Sequence, residues 1–287
     1  MARLARNHRH PAPGARSPQT AALERLARAE ALIAAGRLAQ AGRQLDAALE
    51  GQPDLAQGWH MKGVLALMQG RAAAAAEALA RAAALAPEDA VCRTNLGIAQ
   101  HAAGRPADAE ASLRRALGLQ EHLAQAHHNL GVLLREQGRL DEAETHLRRA
   151  VAADASYEKA WLELGRVQRE RGALTDALAS LAHAPAHAAA QEEAGLIEQA
   201  QGRYAAAIDH LRAALAREPE RPVAALALGF CLQETGEVDA ALEVYRAALA
   251  RDPGLYGAVM KNLTTAAKGR LWLRPADLRQ ALARDPR

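Results

Sequence analysis

Aromatic side chains are scarce in this chain: one phenylalanine, three tryptophans and four tyrosines make up 3% of its 287 residues. β-Branched residues are few as well, and no segment alternates apolar and polar positions as a half-buried strand must, which excludes a sandwich or barrel. Two cysteines, Cys92 and Cys231, are too few for a disulfide framework. They read as buried small apolar side chains in a reducing compartment. No apolar run is long enough to cross a membrane, because the alanine-rich stretches are broken by arginine or glutamate every few residues. The arginines of the first eighteen residues have no apolar run behind them, so no secretory signal is expected and the location implied is cytoplasmic.

Catalytic signatures are missing too. There is no Walker loop, nucleophile elbow, Cys-x-x-Cys pair or GxGxxG between a strand and a helix. The eleven histidines form no group with ligand spacing: His127 and His128 fall on different helix faces, and Pro185 separates His183 from His187. Glu192 and Glu193 are adjacent on a helix and cannot flank one substrate bond as acid and base. The expectation is a non-enzyme without cofactor or metal.

Half of the residues are apolar, with alanine, the best helix former, prominent among them. The chain therefore reads as all-α. Its net charge of +3 is unevenly spread: residues 1–20 contribute +4 and residues 256–287 contribute +5, which leaves −6 for the middle. In that middle, acids and bases interleave as on solvated helix faces (Arg139, Asp141, Glu142, Glu144, Arg148), with no continuous stripe for phosphates. Pro11, Pro13, Gly14 and Pro18 in residues 1–20 indicate a disordered basic tail.

Self-similarity is the strongest signal. Glycine recurs at 36, 70, 104, 138, 172, 202 and 236, at spacings of 34 residues except for one of 30. Five residues after each stands an alanine (Ala41, Ala75, Ala109, Ala143, Ala177, Ala207, Ala241), and four further on a large side chain, leucine six times and Tyr245 at the end. Seven before each stands another small residue, Ala29 and then Gly63, Gly97, Gly131, Gly165, Gly195 and Gly229. Two antiparallel helices account for this pattern. The recurrent glycine turns the chain in the left-handed conformation, the small residues let the helices approach, and Pro53, Pro87, Pro219 and Pro253 stop the second helix. Such a unit cannot bury its apolar face alone and must stack on its neighbours.

The 34-residue unit resembles the tetratricopeptide repeat. The fifth repeat reads Trp161-x2-Leu164-Gly165 and then Ala177-x3-Leu181; the second has Trp59, Gly63, Ala75, Leu79, Ala82 and Pro87. The resemblance covers repeats near 22–55, 56–89, 90–123, 124–157, 158–187, 188–221 and 222–255, and implies a right-handed α-solenoid of helix-turn-helix units. Residues 256–287 are expected to cap its end, with one helix over Tyr256–Lys268 and another over Arg274–Ala283. Departures occur: Glu121 and Ala155 replace the proline, Arg25 stands in the tryptophan position, and the fifth repeat is four residues short, which predicts a second helix about one turn shorter.

The family's inner face, lined by first helices, takes extended peptides or partner helices. Placed in that register, the candidate ligand contacts are His60, Met61, Asn95, His128, Asn129, Arg135, Arg166 and Arg169. Repeats two to four offer methionines, amides and imidazoles (also Val64, Met68, Thr94, Ile98, His101, Val132), and repeats five to seven mostly charges (Lys159, Glu163, Glu192, Glu193, Gln233, Glu234). Asn95 and Asn129 share one slot, where an amide either meets a ligand backbone or is simply solvated. The resemblance implies a scaffold or adaptor for a protein or peptide; the alternative is an accessory subunit that presents substrate to a separate glycosyltransferase, sulfotransferase or oxygenase. The acidic middle argues against nucleic acid.

Overall fold

The computed structural model describes residues 18–265 and Leu282, and every regular element among the described residues is helical. They fall into two compact units that divide between Asn129 and Leu130. The first unit contains α1 (Pro18–Ala34), α2 (Leu38–Gly51), α3 (Ala56–Met68), α4 (Ala72–Leu85), α5 (Ala90–Ala102), α6 (Pro106–Leu119) and the start of α7 (Ala124–Glu136). The second contains the rest of α7, then α8 (Leu140–Ala153), α9 (Glu158–Glu170), α10 (Leu174–Leu181), α11 (Ala188–Ala200) and α12 (Tyr204–Arg217). It continues through α13 (Pro222–Thr235), α14 (Val238–Arg251), a 3-10 turn (Pro253–Leu255) and α15 (Tyr256–Thr265). Residues 18–20, expected in the tail, are already helical, because Pro18 is well suited to the first turn of α1; the remainder of the tail lies outside the described residues.

Each expected hairpin is present, and all seven turn glycines have positive φ, from 70° at Gly36 to 92° at Gly236. The residue after each glycine donates its N–H to a carbonyl five residues back, as Arg37 does to Leu32 at 2.8 Å and Glu237 to Leu232 at 2.8 Å. This bond closes the end of the first helix and reverses the chain. The small residue before the turn meets the large one after it. A Cβ added at Gly97 would lie 2.7 Å from Leu113 Cγ and 3.2 Å from the carbonyl oxygen of Ala109, so the missing side chain is what lets α5 and α6 close together. Leu113 and Ala109 are themselves fully buried. In the second unit Gly165 stands in the same relation to Leu181 and the carbonyl of Ala177.

The proline position proves dispensable. Helices α6 and α8 end at Leu119 and Ala153, two residues before Glu121 and Ala155, just as α4 ends two residues before Pro87. The corner is also held from the next helix. Trp59 Nε1 donates to the carbonyl of Pro53 at 2.7 Å, Arg93 Nε to Pro87 at 3.0 Å, and His127 Nε2 to Glu121 at 2.8 Å, each spanning six residues. Trp161 Nε1 to Ala155 (2.9 Å) and Gln191 Nε2 to Pro185 (3.3 Å) repeat the bond in the second unit. In five repeats the tryptophan position thus supplies a side-chain N–H, from four residue types, whereas the seventh repeat has Ala225 there.

Helix α10 is shorter than expected, eight residues against fourteen for the second helix of every other repeat, which removes more than one and a half turns. Just past its end the His183 ring stacks on Trp161 at 4.1 Å between centroids. Cys92 in α5 and Cys231 in α13 are free and buried. Burial, then the charge of Asp89, raises the Cys92 thiol to about 11, and burial, then Glu234, raises Cys231 to about 12. At the far end of the second unit, α15 lies on α13 and buries Val259 and Leu263 in the cluster around Leu228, Leu232 and Tyr245, against which Leu282 also packs. Asn262 Nδ2 donates to the carbonyl of Leu226 at 3.1 Å. The other expected residues of the second terminal helix, with Trp272, lie outside the described residues.

Candidate functional site

First helices lie side by side within each unit, α1 with α3 and α3 with α5 in one, α9 with α11, α11 with α13 and α13 with α15 in the other. The residues singled out by register lie on first helices. In the first unit, Asn95 Nδ2 lies 2.8 Å from His60 Nε2, a bond that joins α5 to α3. An amide N–H needs an acceptor, so His60 is the neutral imidazole with its proton on Nδ1. Its protonation is correspondingly disfavoured: burial depresses its pKa below the ordinary 6.5, against a partial upward pull from Asp89.

Beside this pair lies a cavity of ≈ 260 Å³ lined by Glu30, Ile33, Gln57, His60, Met61 and Val64. Met61 also packs on the core of α1 and α2. The large apolar side chains most exposed among the described residues are Leu23, Met68, Val91 and Val223, each 43–53% exposed. All four sit on first helices, three of them in the first unit.

The two asparagines of the shared slot are not used alike. Asn129 turns Nδ2 back to the carbonyl of Gln125 in its own helix at 2.7 Å, whereas Asn95 is held by His60. Each keeps its amide oxygen and a second N–H. His128 is half-buried in the same helix as Asn129. Thr94 is corrected: it is fully buried and bonds the carbonyl of Ala90, so it cannot face a ligand. Gln233 and Glu234, buried as well, are withdrawn from the face for the same reason.

In the second unit the expected arginines meet the chain's own carboxylates. Arg135 contacts Glu163 at 3.2 Å and Glu170 at 2.9 Å. Arg166 bridges Glu163 (2.7 Å) and Glu193 (3.1 Å), and Arg169 also reaches Glu193 at 3.1 Å. Three arginines and three glutamates from α7, α9 and α11 form one ladder of zero formal charge. Arg221, just before α13, continues the theme through Glu192 in α11 (3.0 Å) and Glu218 just past α12 (2.7 Å), its bonds to Glu192 holding its proton more firmly than usual.

Leu23, Glu30 and Ile33 occupy the second, ninth and twelfth positions of the first repeat, slots of the same register that was followed only from the second repeat onward. No group of three or more His, Cys, Asp or Glu suited to a metal occurs among the described residues, and none of their helices is long and apolar enough to cross a membrane.

Models described as tetratricopeptide repeat match residues 26–90 and 129–193, 95–156, and 198–263. Comparison with curated proteins finds no match. Among solved structures, the chain is similar to the APC/C hetero-tetramer Cut9–Hcn1, with 21% identity and a TM-score of 0.64 over 74% of this chain and 43% of that one. It thus spans less than half of that chain. It is also similar to PilW, a widely conserved type IV pilus biogenesis factor, with 22% identity and a TM-score of 0.64 over 71% of this chain and 96% of that one. At these identities the likeness is one of fold.

Proposed function

The chain belongs to the tetratricopeptide repeat family, and from that premise we propose a scaffold or adaptor that binds an extended partner segment along the first-helix face of residues 18–129. The observation that carries this reading is the gathering of exposed apolar side chains on first helices: Leu23, Met68 and Val91 stand there with half their surface open. Covering them contributes on the order of 25 cal/mol per Å² of apolar area. The amide oxygen of Asn95 and its second N–H, fixed in direction by His60, are suited to a peptide backbone. Asn129, tied by Nδ2 to the carbonyl of Gln125 in its own helix, offers its amide oxygen and second N–H from a different anchor.

The second unit supports a different role. Its inner arginines Arg135, Arg166 and Arg169 already have carboxylate partners, so a ligand's acid would have to displace Glu163 or Glu193 to reach them. Arg135, Arg166 and Arg169 act in this reading as ties between first helices. Presentation of substrate to a separate enzyme makes the same demand on the first unit's face and differs in what the partner is.

The test is selection of a random dodecapeptide library against the full chain, followed by affinity measurement of the enriched peptides. Met68→Asp with Val91→Asp should weaken them at least about tenfold, since two charges then meet the apolar ligand, while Val223→Asp in the other unit leaves them unchanged. Enriched peptides that bind the double variant as tightly as the parent would place the binding surface elsewhere.

A further inference from the structure

We infer that the segment bound by the first unit is basic as well as apolar: a lysine or arginine between apolar residues, its stem in the cavity lined by Ile33, Met61 and Val64 and its cation against Glu30. The inference deepens the proposed peptide-binding reading and rests on it. Glu30 is the only residue of that lining with a formal charge once His60 is neutral, and it has no ion-pair partner among the described residues. This sets it apart from the carboxylates of the second unit's inner face, where Glu163, Glu170 and Glu193 each hold an arginine. The second nearby acid, Asp89, adds field of the same sign, which shows in its upward pull on His60.

Shape agrees with charge. The cavity is open and has room for one long side chain, with three aliphatic or thioether walls and a carboxylate at the rim. Lysine and arginine have this make-up, an apolar stem that lies along such walls and a charged head that remains hydrated. An acidic side chain in the same place would set its carboxylate against Glu30 with no lysine or arginine in the lining to offset it. A purely aliphatic side chain would fill the walls and leave Glu30 unused.

Three labelled, end-capped nonapeptides separate these cases: leucines flanking a central lysine, and the same sequence with central norleucine or central glutamate. Fluorescence anisotropy with the full chain should rank lysine above norleucine by roughly threefold and above glutamate by roughly tenfold at low salt, as expected for one exposed ion pair and one like-charge contact. In Glu30→Gln the lysine advantage should vanish while norleucine binds as before, which also shows that the variant is folded. Equal affinity for lysine and norleucine in the parent, or a lysine preference that survives Glu30→Gln, overturns the basic preference. If all three then still weaken with Met68→Asp, the apolar face stands without it. If none of the three binds while library-selected peptides do so through Met68 and Val91, the inference fails and the underlying reading survives; if neither set binds, both fail.

Discussion

Asn95 donates from Nδ2 to Nε2 of His60 across 2.8 Å, so the bond between α5 and α3 exists in this form only while the imidazole is deprotonated. The unfolded chain takes up the proton at the ordinary 6.5, but the folded chain holds out to a lower pH because burial opposes the charge. The stability this group contributes is therefore complete above about 6.5 and is lost as pH falls through the depressed folded value. Urea midpoints of the parent should drop more steeply between pH 6.5 and 5 than those of His60→Gln. Parallel curves for the two proteins would show that His60 titrates normally.

Glycines on these helices should divide by what surrounds them. Gly97→Ala forces Cβ against Leu113 and the carbonyl of Ala109, a backbone atom that cannot move aside, and should cost about 1–3 kcal/mol. Gly42→Ala sits within α2 with only an ordinary 3.7 Å contact to Leu65 and should gain about 0.5–1 kcal/mol from helix propensity. Denaturant unfolding measures both. A neutral Gly97→Ala would mean that the hairpin opens at little cost.

The corner bonds predict a tolerance rule. His127→Phe keeps an aromatic ring but loses the donor to Glu121, and should destabilise by about 0.5–1.5 kcal/mol. His127→Gln should recover most of that loss, since Gln191 serves in the equivalent place. Thermal unfolding of the two variants decides; if glutamine is no better than phenylalanine, the ring rather than the N–H is what the corner uses.

Glu193 joins Arg166 to Arg169, and with only 13% of its side chain exposed it is poorly replaced by water. Glu193→Gln should cost about 1.5–3 kcal/mol, the range for hydrogen bonds to charged groups. The difference from the parent should shrink in 1 M salt, where screening reaches to about 3 Å. A difference that does not respond to salt would assign the loss to packing.

The repeat itself was legible because its demands are local: a glycine that must adopt positive φ, a small residue seven before it and a leucine nine after it all recur within one hairpin. Gly63, Gly97 and Leu79 could be placed against their partners from spacing alone. The ion-pair ladder could not, because Arg135, Glu163 and Glu193 come from three repeats and periodicity says which face a side chain occupies, not whom it meets there. The same limit applied to Asn95 and Asn129, identical in slot yet held by different acceptors. The corner bonds escaped notice for another reason: tryptophan, arginine, histidine and glutamine look unrelated until their shared N–H is seen pointing at one carbonyl.

Cys92 and Cys231 lie in different units, each buried and each with its thiolate disfavoured by that burial. An alkylating reagent can reach either sulfur only during the moments when its surrounding helices part. The chain therefore carries two natural stopwatches, and the modification rates of single-cysteine variants would time the opening of one unit independently of the other. A faster Cys92 would locate the readier motion in the half where a partner is proposed to dock.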